Sequence, residues 1–353
     1  MATVAELVDG DDDSPTLRPS TLDDFRGQPS VSRELGIILG SAKARGALCD
    51  HLLFSGPPGL GKTTLAGIVA TELGIDMVVT SGPAIERPGE LAAILTTLRP
   101  NTLLFIDEIH RLPKVCEEIL YTAMEDGKID IMMGEGASAR SLTLDLSDFV
   151  LVGATTQAGL LSAPLRDRFG FSARLRLYGE DDLARIISRS GHFLGFDDEE
   201  LTHEACLAIA RRSRGTPRVA NKWLRRVRDF ALTEGLAVID EEVAEAALEA
   251  FGIDSLGLDL LGRDILTVLC EGFGGGPAGL SALAASVGES TSTIEEVYEP
   301  YLMAKHLIMR TPRGRVATEA AWRHIGLDAP ARARLEESES GAQESLDLGL
   351  DGG

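Results

Sequence analysis

Cysteine is scarce in this 353-residue chain: Cys49, Cys116, Cys206 and Cys270 stand 67, 90 and 64 residues apart. No two are close enough for a zinc site or a disulfide framework, so all four are expected to be reduced and mostly buried. Long apolar runs are missing too. The longest, such as 149–154, fall far short of the roughly 18 residues that a membrane span needs, and no membrane partner is expected. Residues 1–13 are acidic and lack the apolar segment of a secretory signal, so the expected compartment is the cytoplasm. Positive charge is the third shortage. With 34 Lys and Arg against 55 Asp and Glu, the net charge is −21, which at first argues against nucleic acid because phosphate contacts need cations.

The distribution of charge reverses that inference. Residues 1–24 hold seven acids and one base, and residues 331–353 hold six acids and two bases. Both tails are poor in aromatics and rich in Asp, Glu, Ser and Gly, a composition that favours disorder. Residues 300–325 run the other way, with Lys305, Arg310, Arg313, Arg315 and Arg323 against Glu319 alone. The acidity is local, and so is the basic patch.

The length fits two or three domains. From residue 51, short apolar runs (51–56, 75–82, 101–108, 149–156, 171–178) alternate with helix-length segments such as 62–73 and 88–98. Each run has the Val, Ile, Leu and Phe content of a strand buried on both faces, and the alternation predicts a doubly wound α/β domain with a parallel sheet over 17–180. Segment 128–146 breaks the rhythm, with Gly134 and Gly136 between two extended arms, and reads as an inserted β-hairpin. After Tyr178 the pattern turns helical (181–194, 200–212, 217–233, 241–251), predicting a small all-α domain over 181–256 with Pro217 in a first helical turn. Over 257–330, three helices (259–273, 280–287, 293–306) precede two short arms around Thr311-Pro312-Arg313-Gly314, the layout of a winged helix. Residues 1–16 and 331–353 are the tails expected to be disordered. No internal repeat is present.

Gly56-Pro57-Pro58-Gly59-Leu60-Gly61-Lys62-Thr63-Thr64 follows a strand and opens a helix. Glycines there let backbone N–H groups and a helix N-terminus wrap phosphates. Lys62 reaches the β/γ-phosphates and the Thr63 hydroxyl ligates Mg²⁺, so the cofactors expected are ATP and Mg²⁺. The run Leu103-Leu104-Phe105-Ile106-Asp107-Glu108 ends a buried strand in two acids. Asp107 fits the Mg²⁺ shell, and Glu108 fits the base that orients and deprotonates an attacking water. With that role filled, His110 reads as a surface or supporting residue. Thr155 and Thr156 end the fourth buried strand, where a hydroxyl meets the γ-phosphate or the lytic water, or where the strand simply ends in polar residues. Arg166 and Arg168 carry the donor fork that a transferring phosphoryl needs, although on residues alone a surface ion-pair cluster is the better reading.

Together these residues resemble the RuvB family of bacterial Holliday-junction branch-migration motors in the AAA+ ATPase superfamily. The resemblance covers about residues 17–327. It rests on Leu17-Arg18-Pro19, the P-loop, Asp107-Glu108-Ile109-His110-Arg111-Leu112, Gly134-Glu135-Gly136 and Gly153-Ala154-Thr155-Thr156. It continues through Leu165-Arg166-Asp167-Arg168-Phe169-Gly170, Arg214-Gly215-Thr216-Pro217-Arg218, Glu299-Pro300-Tyr301-Leu302 and Arg310-Thr311-Pro312-Arg313-Gly314-Arg315.

The resemblance implies a AAA+ P-loop ATPase domain, a helical lid and a winged helix. Leu17 and Arg18 would line the base pocket, with Tyr178 at the hinge and Gly59, Gly61, Lys62, Thr63 and Thr64 on the phosphates. Glu125, Asp126 and Gly127 would add a further nucleotide contact. Arg168 would be an arginine finger acting on a neighbour's ATP in a homo-hexameric ring, Arg218 the sensor-2 arginine, and Thr155 or Thr156 sensor 1. The 128–146 hairpin would dock on RuvA, with RuvC a further partner in recombination and repair. Arg310, Arg315 and, more weakly, Arg313 would hold phosphates of the duplex arms. Three positions depart from the family pattern: Gln157 for a frequent Arg, Gly127 for an aromatic, and Thr291 for a basic residue. The third helix of the winged domain carries Glu295, Glu296 and Glu299, so DNA contact should fall to the wing and be independent of sequence. The rival readings are a nucleotide-gated DNA-binding switch of the replication-initiator kind, which needs base-reading Arg, Asn or Gln on that helix, and a clamp loader, which lacks a wing.

Overall fold

The computed structural model describes residues 17–133 and 140–330. Both tails and the hairpin tip with Gly134, Glu135 and Gly136 lie outside the described residues. In chain order the first body comprises α1 (Pro29–Arg45), β1 (Leu52–Ser55), α2 (Lys62–Leu73), β2 (Asp76–Ser81), α3 (Pro88–Thr97), β3 (Thr102–Asp107) and α4 (Lys114–Asp126). It continues with β4 (Lys128–Met133), β5 (Arg140–Asp145), β6 (Phe149–Thr155), α5 (Ala163–Asp167) and β7 (Phe171–Arg174). Five strands form an all-parallel sheet in the order β2-β3-β6-β1-β7, while β4 and β5 make a separate antiparallel hairpin. The order brings the C-terminal ends of β1, β3 and β6 side by side, so the P-loop, Asp107 and Thr155 share one edge of the sheet, where open α/β sheets bind ligands.

The three central strands are almost wholly buried, as their unbroken apolar runs require. The outer two differ from the expectation. β2 and β7 have a neighbour on one side only, and exposed Asp76 and Arg174 lie on them. The fifth run also stops short of Tyr178. The backbone of Arg176 is taken by a side chain rather than a strand: Gln28 Nε2 donates to its carbonyl at 2.7 Å and its N–H donates to Gln28 Oε1 at 3.3 Å.

The lid consists of α6 (Glu180–Phe193), α7 (His203–Arg211), α8 (Pro217–Glu234) and α9 (Glu241–Ala250). Thr202 and Asp240 cap α7 and α9 by accepting the N–H of Ala205 and Val243, each worth about 1 kcal/mol. One apolar core runs from Leu65 and Phe54 through Tyr178 into Leu183, Ile187 and Trp223, tying sheet to lid. A second fills the other face of the sheet beneath α3 and α4.

The last body holds α10 (Leu260–Thr267), α11 (Leu280–Val287), α12 (Thr291–Thr293), α13 (Glu299–Ala304), β8 (Ile308–Thr311), β9 (Gly314–Ala317) and α14 (Glu319–His324) around its own core. A π turn, Ile294–Tyr298, joins α12 to α13 as one helix over 291–304. Pro300 follows it, with no N–H for the carbonyl of Glu296, and a widened turn is a usual response. Arg214 of the lid stacks over the Tyr298 ring at 5.0 Å and faces Asp259 at 3.7 Å. Among the described residues no helix is long and apolar enough to cross a membrane. All four cysteines are buried and unpaired, and burial pushes the thiols of Cys206 and Cys270 up to about 12, which leaves them unreactive.

Candidate functional site

A cleft of about 900 Å³ opens where the sheet edge meets the lid. Its floor is the P-loop, whose Gly59 and Gly61 have positive φ (81° and 98°). Lys62 is buried, and its Nζ donates to the carbonyls of Gly56 at 2.8 Å and Pro57 at 3.1 Å. Burial pulls its ammonium below the usual range, while the charges of Glu108 and Asp107 oppose that shift. Thr63 and Thr64 line the cleft beside it.

Asp107 and Glu108 reach the same cleft from the end of β3. Asp107 Oδ1 accepts the N–H of Glu108 at 2.9 Å, and burial followed by the neighbouring Glu108 charge holds its carboxyl above the ordinary value. Glu108 adopts a left-handed backbone (φ 46°), which turns its side chain toward β6. A Cβ on Gly82 would collide with the Glu108 carbonyl oxygen, so the position needs glycine. Glu108 Oε2 accepts from Thr156 N at 3.3 Å and Thr156 Oγ1 at 3.2 Å. Burial alone would raise this carboxyl; the hydrogen bond from His110, the Lys62 charge and the Thr156 N–H outweigh it and leave it below the ordinary value.

His110 is more than a surface residue. Its side chain is 6% exposed, and Nδ1 lies 3.2 Å from Glu108 Oε2 and 2.9 Å from Thr155 Oγ1. Thr155 is fully buried and points to His110, whereas the Thr156 hydroxyl meets Glu108 directly. The two threonines therefore hold different partners.

Magnesium needs oxygen donors and usually leans on substrate phosphates and water. Among the described residues no cluster of three metal-ligating side chains exists. Thr63 and Asp107 nevertheless face one cleft, and Asp107, strained by burial and by Glu108, is a carboxylate that a dication would relieve. The donor set fits a nucleotide-bound Mg²⁺.

The lid closes the far wall. Arg218 donates its N–H to Gly59 O at 3.4 Å, and Arg218 and Asn221, one turn apart on α8, both line the cleft. Tyr178 donates its hydroxyl to Leu60 O at 3.0 Å, coupling hinge to P-loop. Leu17 and Arg18 line the mouth, and Arg189 of α6 holds that strap by donating to Leu17 O at 2.7 Å and Asp24 O at 3.2 Å. Phe25, Arg189 and Asn221 were not singled out from the sequence. The spacing of Asn221 three residues after Arg218 was a usable signal; Arg189 gave none, since its reach depends on how the lid packs.

Four expected residues lie elsewhere. Arg168 pairs with Glu125, donates to Tyr121 Oη at 2.9 Å and stacks on that ring, both residues belonging to α4. Asp126 and Gly127 end the same helix, with Gly127 (φ 63°) terminating it. None of Arg168, Glu125, Asp126 and Gly127 lines this chain's own cleft. Buried Glu117 accepts from Ser162 N at 3.0 Å and Lys114 Nζ at 2.8 Å, fixing the start of the short helix that carries Arg168. On the wing, Arg315 is buried against Glu299 (2.8 Å), while half-exposed Arg310 donates to Glu295 at 3.1 Å. Arg313 is exposed at the turn and makes no ion pair among the described residues.

A parallel sheet of this order, a P-loop facing an Asp-Glu pair and a helical lid bearing an arginine over the cleft define a AAA+ P-loop ATPase. Models described as the Holliday junction DNA helicase RuvB P-loop domain, the RuvB AAA lid domain and the RuvB C-terminal winged helix domain match residues 17–175, 178–254 and 255–326. The chain belongs to the RuvB family. It is 54% identical over 322 residues to the Holliday junction branch migration complex subunit RuvB of Corynebacterium jeikeium (strain K411), covering 91% of this chain and 90% of that one. It is 52% identical over 333 residues to the subunit of the same name in Mycolicibacterium vanbaalenii, covering 94% and 93%. The Thermotoga maritima RuvB Holliday junction branch migration motor superimposes with a TM-score of 0.82 at 46% identity, over 89% of this chain and 100% of that one. The Aeropyrum pernix ORC2 protein shares the fold alone (TM-score 0.55, 16% identity).

Proposed function

We propose that this chain is the ATP-hydrolysing motor of Holliday-junction branch migration, working in the cytoplasm as a homo-hexameric ring with RuvA and RuvC. The observation that carries the reading is the cleft in which Lys62, Thr63, Asp107, Glu108 and Arg218 converge, in a chain 46–54% identical to RuvB proteins along nearly its whole length. Lys62 and Arg218 bind the phosphates of ATP, with Leu17, Arg18 and Tyr178 around the base. Mg²⁺, held by Thr63 and Asp107, would neutralise charge on the transferring phosphoryl. Glu108, oriented by Thr156 and His110, takes the proton of the attacking water. Arg168, with Glu125, Asp126 and Gly127 beside it, serves the cleft of the neighbouring subunit.

The hairpin of β4 and β5 docks on RuvA, and the wing holds duplex phosphates through Arg310 and Arg313, with Arg315 available once it leaves Glu299. An origin-reading switch is disfavoured because Glu295 and Glu299 on the third helix of the winged domain are engaged by wing arginines. The test is the ATPase rate with linear duplex, with a four-way junction, and with the junction plus RuvA. Stimulation, greatest in the last case, is expected; no response to any of the three would refute the motor.

A further inference from the structure

The winged domain leans on the catalytic edge of the sheet. Its helix over 291–304 borders a cleft of about 2090 Å³ whose opposite wall includes Pro57, Thr156 and Gln157. Across it Gln157 Nε2 donates to Glu296 Oε1 at 3.3 Å. Glu295, the preceding residue, faces a different element: it accepts from Arg310 at 3.1 Å. At the other end, Gln157 follows Thr156, which holds the Glu108 carboxylate by both N–H and hydroxyl. The Gln157 N–H itself donates to Thr155 Oγ1 at 2.9 Å. Glu108, Thr156, Gln157, Glu296, Glu295 and Arg310 therefore form one contiguous line from the reacting edge to the wing.

We propose that Gln157 is a positioning residue that transmits the state of the ATP site to the wing by holding Glu296. When Glu108 engages the attacking water it must share or release Thr156, and the 155–157 turn moves with it. The hydrogen bond to Glu296 carries that movement to helix 291–304. Glu295 competes with a DNA phosphate for the Arg310 guanidinium, so a shift of the helix changes how readily Arg310 meets DNA. Gln157 does not line the P-loop cleft and acts through Glu296. This inference rests on the motor reading above.

The experiment measures ATP hydrolysis by the full chain with and without a linear duplex, extracting kcat and KM for ATP, alongside thermal midpoints. Gln157→Ala and Glu296→Ala are each expected to lose at least about threefold of the DNA stimulation, within the range of mutations that modulate coupling. Basal rate and KM should stay within about twofold. The double variant should lose no more than either single one, since both break one contact. Gln157→Arg, which restores a donor for Glu296, should keep the stimulation. Wild-type stimulation in both alanine variants, additive losses, or a lowered midpoint that Gln157→Arg fails to restore would each overturn the relay. A wild-type chain that no duplex stimulates would instead overturn the motor reading, and the relay with it.

Discussion

In the proposed mechanism Glu108 is the base that takes the proton of the attacking water, and its surroundings set the direction of its titration. A base must be a carboxylate, and this one is held below the ordinary value by His110, Lys62 and the Thr156 N–H against the push of burial. A carboxyl depressed in the folded state favours folding above its unfolded value, and that contribution is lost as pH falls through the folded one. Activity should follow the same acid limb. Replacing His110 by Ala removes one of the groups that lower Glu108, so the acid limb of kcat/KM should move to higher pH, with a small loss near pH 8. Glu108→Gln is the limit of that series: ATP binding retained, single-turnover hydrolysis slower by at least about 10²-fold at every pH. An unshifted acid limb in His110→Ala would mean that the histidine only fills space.

The elements show which parts of this architecture a sequence can declare. The P-loop, the acidic pair and the three central strands are legible because burial on both faces forces continuous apolar runs, and phosphate binding forces glycines beside a lysine. The edge positions of β2 and β7 are not, because strand order is a property of packing and leaves no local mark. The same holds for His110, whose burial depends on β6 lying beside β3. Arg189 of α6 is invisible for the same reason. On the wing, sequence gave two arginines one role, while packing separates them: Arg315 is 9% exposed against a Glu299 that is 3% exposed, and Arg310 is 55% exposed. Breaking a buried pair strands a charge and costs about 3–5 kcal/mol, so Arg315→Ala should lower the unfolding midpoint markedly. Arg310→Ala should leave the midpoint nearly unchanged and reduce the slope of log K against log [salt] for duplex binding by about 0.9, the value for one phosphate contact. Equal slopes and equal midpoints in the two variants would contradict this division.

At the scale of the whole molecule, the proposed role of Arg168 calls for a second subunit, because Arg168 does not line the cleft of its own chain. Its guanidinium is held by Glu125 and Tyr121 of α4, neither of which lines the cleft its own chain builds. The helix that carries it is anchored at its start by Glu117, which accepts the N–H of Ser162. The proposed ring would offer the arginine to the next subunit's ATP, and head-to-tail contacts close into rings when the rotation permits. Arg168→Ala and Lys62→Ala should each abolish steady-state hydrolysis, the first with ATP binding intact. Mixed in equal amounts before assembly, they should regain activity, because a site is complete wherever an Arg168→Ala subunit supplies Lys62 and its neighbour, a Lys62→Ala subunit, supplies Arg168. In randomly mixed closed rings that combination occurs at about a quarter of the interfaces, so recovery approaching a quarter of the wild-type rate is expected if sites fire independently, and less if they are coupled. Native mass spectrometry establishes that the rings are mixed. Mixed rings as inactive as both parents would place the arginine's action within its own chain and remove the need for a neighbour.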